Sequence, residues 1–531
     1  MAAHPRNRFD RRRIGVIAVL ALAATFWFAV ARGQDVNWDQ QNYHLAVPFL
    51  LLHGGFWESV APTGSQSFFN PLALIPPYLA IRHLPPVAAA LAIAAVQALA
   101  FVIGGLICLA LEPAGVRRLH SPAMLGFLLC LASPMALSEA GSTFIDLATS
   151  IPILLAVLLL LLRPDARRPM RICVAAGLLL GVAGGLKLTN LLFLFAVPGL
   201  LTIGRERLTR RAALFAAVCL AAGVGFVAVA GWWNIQVWQH FANPLFPFFN
   251  AVFRSPDYPA VNIDDDRFIG RTPWDLLRYP IDWLFGGGGS SPALGSPSSE
   301  VAFRDARFIL ILPALALLAA AAATRPALRR RVAGQPATAL LLAWITVYVV
   351  WLYAFGIHRY ALALEILCGP ALLALSQSWP WRVSPRGPLT VALVACLALI
   401  HVPSWRRFPF GPQWRGIMAT PTALPGHPLI FVVDAPIAVA ALSISDNARY
   451  VGIASIDLAP GVDTTLVRQI KARLADTANT QPYALARQAH DLAADPQLRA
   501  YRIGPAGPCR MMATAVDALK LCPLARLPAP P

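Results

Sequence analysis

Residues 86–111 read PVAAALAIAAVQALAFVIGGLICLAL, a run without a single charged side chain. As a helix, such a run is long enough to cross roughly 30 Å of hydrocarbon. Similar runs recur along the chain, at Ile14–Ala31, Ala212–Gly231, Phe308–Ala323 and Ala337–Phe355. The composition agrees, because 57% of the 531 residues are hydrophobic and 13% are charged. A soluble core cannot bury that much apolar surface, so the sequence predicts an all-α polytopic membrane bundle.

Basic residues occur in short clusters between the apolar runs, and these clusters predict the orientation of the chain. The clusters are Arg11–Arg13, Arg117 and Arg118, Arg163 to Arg171, Arg205 to Arg211, Arg325 to Arg331, and Arg382 and Arg386. Placing all of them in the cytoplasm gives a zigzag of about eleven transmembrane helices with a cytoplasmic N-terminus. Most acidic residues then fall on the outer side. We therefore expect an uncleaved signal-anchor, and a multi-pass protein of the bacterial inner membrane.

The net charge of +18 does not indicate a nucleic-acid partner. Nucleic-acid binding needs Lys and Arg along one surface with aromatic residues between them, whereas these basic residues are dispersed among the spans. The sequence therefore predicts no nucleic-acid partner.

Two domains are predicted. Residues 1–403 form the transmembrane domain with periplasmic loops at 33–70 and 232–305, and residues 404–531 form a small periplasmic α/β domain. In this tail the sequence predicts strands at Leu429–Asp434 and Ala500–Ile503, and helices at Thr464–Ala475 and Tyr483–Ala494. Cys509 and Cys522 either form a disulfide in this oxidising compartment or remain buried thiols.

The first periplasmic loop contains regularly spaced polar residues. Asp35, Asp39 and Tyr43 lie four residues apart, so a helix would stack them on one face, and Gly54 would end it. Such an amphipathic helix would lie along the outer membrane surface. A carboxylate there can act as a general base on a hydroxyl or hold a metal ion. The alternative is a solvated helix face near the lipid headgroups.

These residues carry a resemblance to a known family. The Asp39 and Tyr43 pair, followed by Gly54-Gly55-Phe56-Trp57 and Asn70-Pro71-Leu72, resembles the first periplasmic loop of GT-C glycosyltransferases. The similarity is greatest to the branch that uses lipid-linked sugars and includes protein O-mannosyltransferase and aminoarabinose-transferase relatives. The resemblance implies a GT-C-like bundle whose active site faces the periplasm.

Three further motifs continue the resemblance. The turn with Glu139 and Asp146 matches a position where family members often have an acid facing that of the first loop. Lys187, one of three lysines in the chain, resembles the Lys of an outer turn that is common in this superfamily. His358-Arg359-Tyr360 resembles a recurring Arg-Tyr pair, with Glu365 as an internal partner for Arg359. The alternatives are helix capping by Asp146, snorkelling of Lys187 and a structural ion pair of Arg359.

The resemblance implies transfer of a sugar from a polyprenyl-phosphate donor to an acceptor hydroxyl of a glycan, lipid or protein. Asp39 and Asp146 are the expected catalytic residues. Arg359, Lys187 and His358 are expected to bind the donor phosphate, while Asp35, Tyr43 and Glu139 would orient the acceptor. No cofactor is required by the pattern; a divalent metal, Mg²⁺ or Mn²⁺, would have Asp39 and Asp146 as candidate ligands. The alternatives are a transporter or lipid flippase that uses Lys187 and Glu365, and a non-catalytic assembly subunit.

Overall fold

The computed structural model describes residues 9–113, 115–204, 206–263, 265–289, 297–379, 384–414, 422–444, 447–454, 458–476, 480–513 and 516–528. Arg205 and Arg382 of the basic clusters lie outside these ranges. The α-helices are α1 (Arg11–Arg32), α2 (Ala46–His53), α3 (Ile75–His83), α4 (Pro86–Leu111), α5 (Pro122–Leu131), α6 (Pro134–Ser138), α7 (Asp146–Leu162), α8 (Pro169–Leu186), α9 (Ala196–Leu200), α10 (Leu208–Phe241), α11 (Asn250–Phe253), α12 (Asp275–Phe285), α13 (Arg307–Thr324), α14 (Pro326–Val332), α15 (Pro336–Ala354), α16 (Leu362–Ile366), α17 (Cys368–Ser378), α18 (Arg386–Leu399), α19 (Thr465–Ala475) and α20 (Pro496–Ala500). The strands are β1 (Gln34–Asp35), β2 (Pro62–Ser65), β3 (Arg407–Phe408), β4 (Pro428–Val432), β5 (Arg449–Gly452), β6 (Gln481–Arg487), β7 (Ile503–Pro505), β8 (Arg510–Ala513) and β9 (Ala518–Arg526).

Within the described residues, seven helices are long and apolar enough to cross a membrane. They are α1, α4, α7 with its extension to Asp165, α8, α10, α13 and α15. An eighth span results if the pair His358–Ile366 and Cys368–Ser378, bent by 45°, crosses as one. The predicted multi-pass α-helical membrane protein is confirmed. The predicted number of about eleven is reached only if the shorter apolar helices Pro122–Leu131, Leu188–Leu200 and Arg386–Leu399 cross as well.

The chain divides into two compact units, each built from several sequence segments. The first unit contains residues 1–31, 91–230 and 265–404, and the second contains residues 32–90, 231–264 and 405–531. The first unit holds most of the spanning helices. The second unit contains the first predicted periplasmic loop, the first part of the second predicted loop, and the C-terminal tail.

In the first unit, glycines set how closely the helices pack. A Cβ added at Gly177 would lie 2.4 Å from the carbonyl oxygen of Val218, and one at Gly181 would lie 2.0 Å from that of Ala222. No larger side chain fits at either position, so α8 and α10 meet backbone to backbone. Small residues spaced four apart are the usual basis of such packing between membrane helices.

A buried network of ion pairs connects the start of α13 to α16, which belongs to the bent helix pair described above. Arg307 lies 2.5 Å from Asp305 and 3.0 Å from Glu365, and its side chain is completely buried. Arg307 also donates to the hydroxyl of Ser133 at 2.6 Å, and Glu365 accepts from the backbone N–H of Met135 at 3.1 Å. Such a network holds its helices in place because removing one partner leaves an uncompensated buried charge.

The second unit contains the small sheet that was predicted for the tail. Its strand order is β5-β4-β6-β9-β7, with β8 also paired to β9. β4 is parallel to β5 and β6, whereas β9 is antiparallel to β6, β7 and β8. Cys509 and Cys522 form a disulfide, which settles the alternative that the sequence left open.

Two secondary-structure predictions in the tail are confirmed and two are wrong. β4 and α19 occur where strand and helix were expected, and the hydroxyl of Thr464 caps α19 by accepting from the N–H of Val467 at 3.3 Å. The predicted helix at Tyr483–Ala494 begins instead with β6, because residues 484–486 are buried between β4 and β9. The predicted strand at Ala500–Ile503 is the end of α20 followed by the start of β7.

We predict that Arg307→Met destabilises the protein by about 3–5 kcal/mol, because Asp305 and Glu365 would lose the cation that compensates their buried charges. Thermal unfolding of the purified protein in detergent measures the effect. Arg325→Met, at the exposed far end of α13, is the matched control and should leave the melting temperature nearly unchanged. Equal melting temperatures for Arg307→Met and the control would contradict the network.

Candidate active site

The candidate site lies where α7 begins and α8 ends. These helices pack against each other and are joined by a short connection, so they run antiparallel and bring Asp146 and Lys187 to the same end. Lys187 Nζ donates a hydrogen bond to Asp146 Oδ1 and lies 4.1 Å from the ring centroid of Tyr360. The structure thus pairs two residues that the sequence singled out separately.

The chain folds back sharply after Lys187, as the Gly- and Lys-containing motif requires. The carbonyl oxygen of Ala183, in the last turn of α8, accepts from the N–H of Lys187 at 3.0 Å and from Asn190 Nδ2 at 3.2 Å. Leu191 packs on Gly184, where an added Cβ would lie 2.3 Å from it. This local geometry keeps Lys187 at the turn, with its side chain directed at Asp146.

Arg359 reaches the same cluster from the short helix His358–Ala361. Its Nη1 lies 3.6 Å from Asp146 Oδ2, and its guanidinium carbon lies 4.6 Å from the ring centroid of Phe144. Its Nε and Nη2 each donate to one carboxylate oxygen of Glu300 at 2.8 Å. This two-point contact is the geometry in which arginine also binds phosphate.

Glu139 is fully buried next to these charges. Its Oε2 accepts from the N–H of Leu147 at 3.0 Å, whereas Oε1 has no hydrogen-bond partner among the described residues. Burial, together with the negative charge of Asp146, raises the pKa of the Glu139 carboxyl well above its ordinary value. Glu139 is therefore the acid in this cluster that favours the neutral form.

Besides Glu139, whose pKa is raised, the described residues of the cluster balance two cations against two carboxylates. The Lys187 and Arg359 side chains are 17% and 10% exposed, so both cations sit at the edge of the buried region rather than deep inside it. An anionic group with two or three oxygens can take the contacts that Glu300 makes. The cluster, which we call the Asp146 cluster (Glu139, Asp146, Lys187, Glu300 and Arg359), is chemically suited to bind a phosphate.

His358 does not join this cluster. Its ring is 1% exposed and lies among aromatic rings, 4.6 Å from the centroids of both Trp283 and Phe303. Neither ring nitrogen has a hydrogen-bond partner among the described residues. The expectation that His358 binds the donor phosphate does not fit this position, because burial among aromatics disfavours the charged imidazolium. Glu365, expected as the partner of Arg359, pairs instead with Arg307.

The predicted residues of the first loop lie in the second unit. The expected helix face does not form, because Asp35 belongs to β1, which pairs with β3. Asp35 is fully buried and accepts from the N–H of Asn37 at 3.1 Å. Asn37 in turn caps the following helical turn, since its Oδ1 accepts from the N–H of Gln40 at 2.8 Å. The helix therefore starts only after Asn37.

Asp39 and Tyr43 lie in that helical turn and are both half-buried. Asp39 precedes the π-helical segment Gln40–His44, and the Tyr43 ring lies 5.6 Å from the ring centroid of Phe69. α2 ends at His53, and the following Gly54, with a φ of 83°, terminates the helix as the sequence predicts.

The described residues do not fit a resident metal ion at Asp146. Among them, no three His, Cys, Asp or Glu side chains are arranged as metal ligands. Both Asp146 oxygens already face a cation, Lys187 on one side and Arg359 on the other. A divalent ion would have to displace those contacts.

Two residues that position the site were missed from the sequence. Glu300 lies near the end of the second external segment, where its sequence context contains no recognisable pattern. Gln97 interrupts the apolar run of α4, and its Oε1 accepts from the N–H of Gly141 at 2.8 Å in the turn before Asp146. A lone amide in a membrane span was the signal that could have identified it.

The chain is similar to known proteins both in part of its sequence and in its fold. Residues 62–264, which include Asp146 and Lys187, match the model of glycosyltransferase family 87. No curated protein matches the sequence. The crystal structure of ArnT from Cupriavidus metallidurans bound to undecaprenyl phosphate matches with a TM-score of 0.53 and 15% identity, over 96% of this chain and 98% of that chain. The apo ArnT structure from the same organism matches with a TM-score of 0.52 and 17% identity, over 96% and 97%.

These findings confirm two predictions made from the sequence. The structural match confirms the GT-C-like fold. The family match confirms the glycosyltransferase class and does not favour a transporter or flippase.

We predict that Glu139→Gln removes part of the pH dependence of stability. Because the folded-state pKa of Glu139 is raised, the folded protein keeps a proton that the unfolded chain loses near pH 4.5. Stability therefore falls as pH rises from about that value up to the raised pKa. Thermal unfolding across this range should show a shallower decline in Glu139→Gln than in the wild type; parallel curves would contradict the assignment.

Proposed function

We propose that this membrane glycosyltransferase transfers a sugar from a polyprenyl-phosphate donor to an acceptor hydroxyl, and that the Asp146 cluster binds the phosphate of the donor. The observation that carries the proposal is the two-point contact between Arg359 and Glu300, next to the Lys187 ammonium. The donor class is further supported by ArnT, whose structure of the same fold was solved with undecaprenyl phosphate.

In the proposed reaction, the acceptor oxygen forms a bond to the anomeric carbon while the bond from that carbon to the phosphate oxygen breaks. The leaving lipid phosphate takes the electron pair, so negative charge develops on its oxygens. Arg359 and Lys187 would stabilise this charge, since cations held in place before the reaction need little reorganisation during it. Asp146 keeps both cations oriented, and Glu300 would give up its contacts to the phosphate.

The acceptor must also lose its proton. We propose Asp39 as the general base, on the evidence of the first-loop motif with Tyr43 and Gly54-Gly55. Asp39 is half-buried and so retains access to solvent or substrate. Asp35 is fully buried and bonded to Asn37, which supports a structural role for it in shaping the loop.

The helices of the first unit support a proposed orientation of the site. α7 runs from Asp146 to the residue before Arg163, and α8 runs back from the residue after Arg168 to Lys187. α15 likewise follows the Arg329–Arg331 cluster and ends shortly before Arg359. Each helix thus has an arginine-rich end and an end at the Asp146 cluster. By the positive-inside rule, we propose that the cluster faces the periplasm of a bacterial inner membrane.

We predict that Arg359→Ala lowers the turnover rate roughly 10²- to 10³-fold, because the developing phosphate charge loses a two-point donor. Arg359→Lys should recover part of the rate, since lysine keeps the positive charge but cannot make the two-point contact of the guanidinium. The assay measures lipid phosphate released from a labelled polyprenyl-phosphate sugar by the purified protein.

Arg271→Ala, which removes an exposed arginine paired to Asp266, is the control and should keep nearly full activity. Thermal unfolding shows whether each variant is folded. A folded Arg359→Ala protein with wild-type turnover would exclude the proposed phosphate site.

We predict that Asp39→Asn abolishes transfer while expression, membrane insertion and thermal stability stay at wild-type levels, because the amide cannot accept the acceptor proton. Glu58→Gln is the matched control in the same segment, where Glu58 forms an exposed ion pair with Arg449. The same release assay measures both. Full activity of Asp39→Asn would remove Asp39 from the catalytic role.

A further inference from the structure

A cavity lies at the arginine-rich end of the first unit, away from the Asp146 cluster. It has a volume of about 570 Å³ and is formed by the connection between α9 and α10 together with α14 and the first turns of α15. The N–H of Gly204 donates to the carbonyl oxygen of Gly334 at 3.0 Å and ties the two connections together. Because α15 runs from this cavity toward Arg359, about 24 Å of helix separates the two sites.

Cationic side chains outnumber acidic ones among the described residues that line this cavity. Arg211 and Arg330 line it, and Glu206 is the one acidic side chain among the lining residues that the structure describes. Glu206 is already compensated, because Arg163 lies 3.4 Å from it and Arg210 lies 3.5 Å from it. Within the described part of the chain, Arg211 and Arg330 therefore form no salt bridge with a carboxylate.

Hydrogen-bond donors in the cavity also lack acceptors. Arg211 Nη2 donates to the carbonyl oxygens of Thr202 and Gly204 at 3.4 and 3.3 Å, but its Nε is buried without a hydrogen-bond partner among the described residues. The hydroxyl of Thr338 is buried and lacks a described partner as well. Buried donors without acceptors are costly, so both groups point to a ligand that supplies oxygen atoms.

One exposed leucine lines the cavity, and another begins α10, the helix that carries Arg211. Leu342 lines the cavity on the spanning helix α15 and is 43% exposed, and Leu208 at the start of α10 is 80% exposed. On a membrane span, such exposed leucines face acyl chains. A ligand with an anionic head and an apolar tail matches both parts of the site, whereas free phosphate would match the arginines alone.

We propose that this cavity binds the headgroup of an anionic phospholipid from the leaflet on the arginine-rich side. The lipid phosphate would accept hydrogen bonds from Arg211 and Thr338 and would lie near Arg330, with its acyl chains against Leu342. Basic pockets between membrane helices bind anionic headgroups in this way. The site is separate from donor binding, and it does not depend on the reaction proposed above.

Native mass spectrometry of the full-length protein, released from detergent with phosphatidylglycerol or phosphatidylcholine, tests the proposal. The wild type should retain phosphatidylglycerol in preference to phosphatidylcholine. The double variant Arg211→Ala/Arg330→Ala should lower the affinity for phosphatidylglycerol roughly thirtyfold, because each arginine near the surface contributes to headgroup binding. Thr338→Val, which keeps the shape of the side chain, should lower it roughly fivefold.

The matched control is Arg329→Ala/Arg331→Ala, which removes the same total charge, here entirely from α14, but leaves the cavity wall intact. This control and Arg359→Ala should both bind phosphatidylglycerol like the wild type. Equal retention of the two lipids, equal affinity in the two double variants, or displacement of the lipid by millimolar inorganic phosphate would overturn the proposal. If the Arg211→Ala/Arg330→Ala protein does not fold, unchanged affinity in Thr338→Val would overturn it.

Discussion

Charges at the end of a membrane-spanning helix must be compensated, and this constraint organises the first unit. Asp146 begins α7 in a largely buried position, and it is compensated by Lys187 from α8 and by Arg359 from the segment after α15. An unpaired charge near the hydrocarbon costs several kcal/mol, so these three segments are held together. The same constraint acts deeper in the bundle, where Arg307 joins Asp305 and Glu365.

The pairing that stabilises the bundle also prepares the proposed chemistry. Arg359 is held by Asp146 on one side and by Glu300 on the other, so its guanidinium is oriented before any donor binds. Glu300 is the partner that a phosphate can replace, because a carboxylate and a phosphate use the same fork of the guanidinium. Burial raises the pKa of the Glu139 carboxyl, which favours its uncharged form next to these charges. The cluster is therefore balanced without donor, and an anion that binds Arg359 takes the place of the Glu300 carboxylate.

The sequence predicted those residues whose polarity contrasts with an apolar context. Asp146, Lys187 and Arg359 each interrupt or border an apolar run, and the structure places all three in one cluster. Glu300 could not be found, because it lies in a polar external segment where an acid is unremarkable. The helix proposed for Asp35 failed because the side chain of Asn37 starts the helix later, and β6 was predicted as a helix because its pairing with β4 and β9 depends on distant segments. The local sequence pattern identified the charged residues at the ends of the spans. The residues that were missed or misassigned depend on contacts that the local pattern does not show.

The central claim is that the donor phosphate replaces Glu300 at Arg359. A structure of the purified protein in lipid nanodiscs with polyprenyl phosphate tests this claim most directly. The account predicts phosphate oxygens about 2.7–2.9 Å from the Arg359 guanidinium and near the Lys187 ammonium, with the hydrogen bonds between Arg359 and the Glu300 carboxylate broken. A bound phosphate elsewhere in the protein, with the contact between Arg359 and Glu300 unchanged, would contradict it.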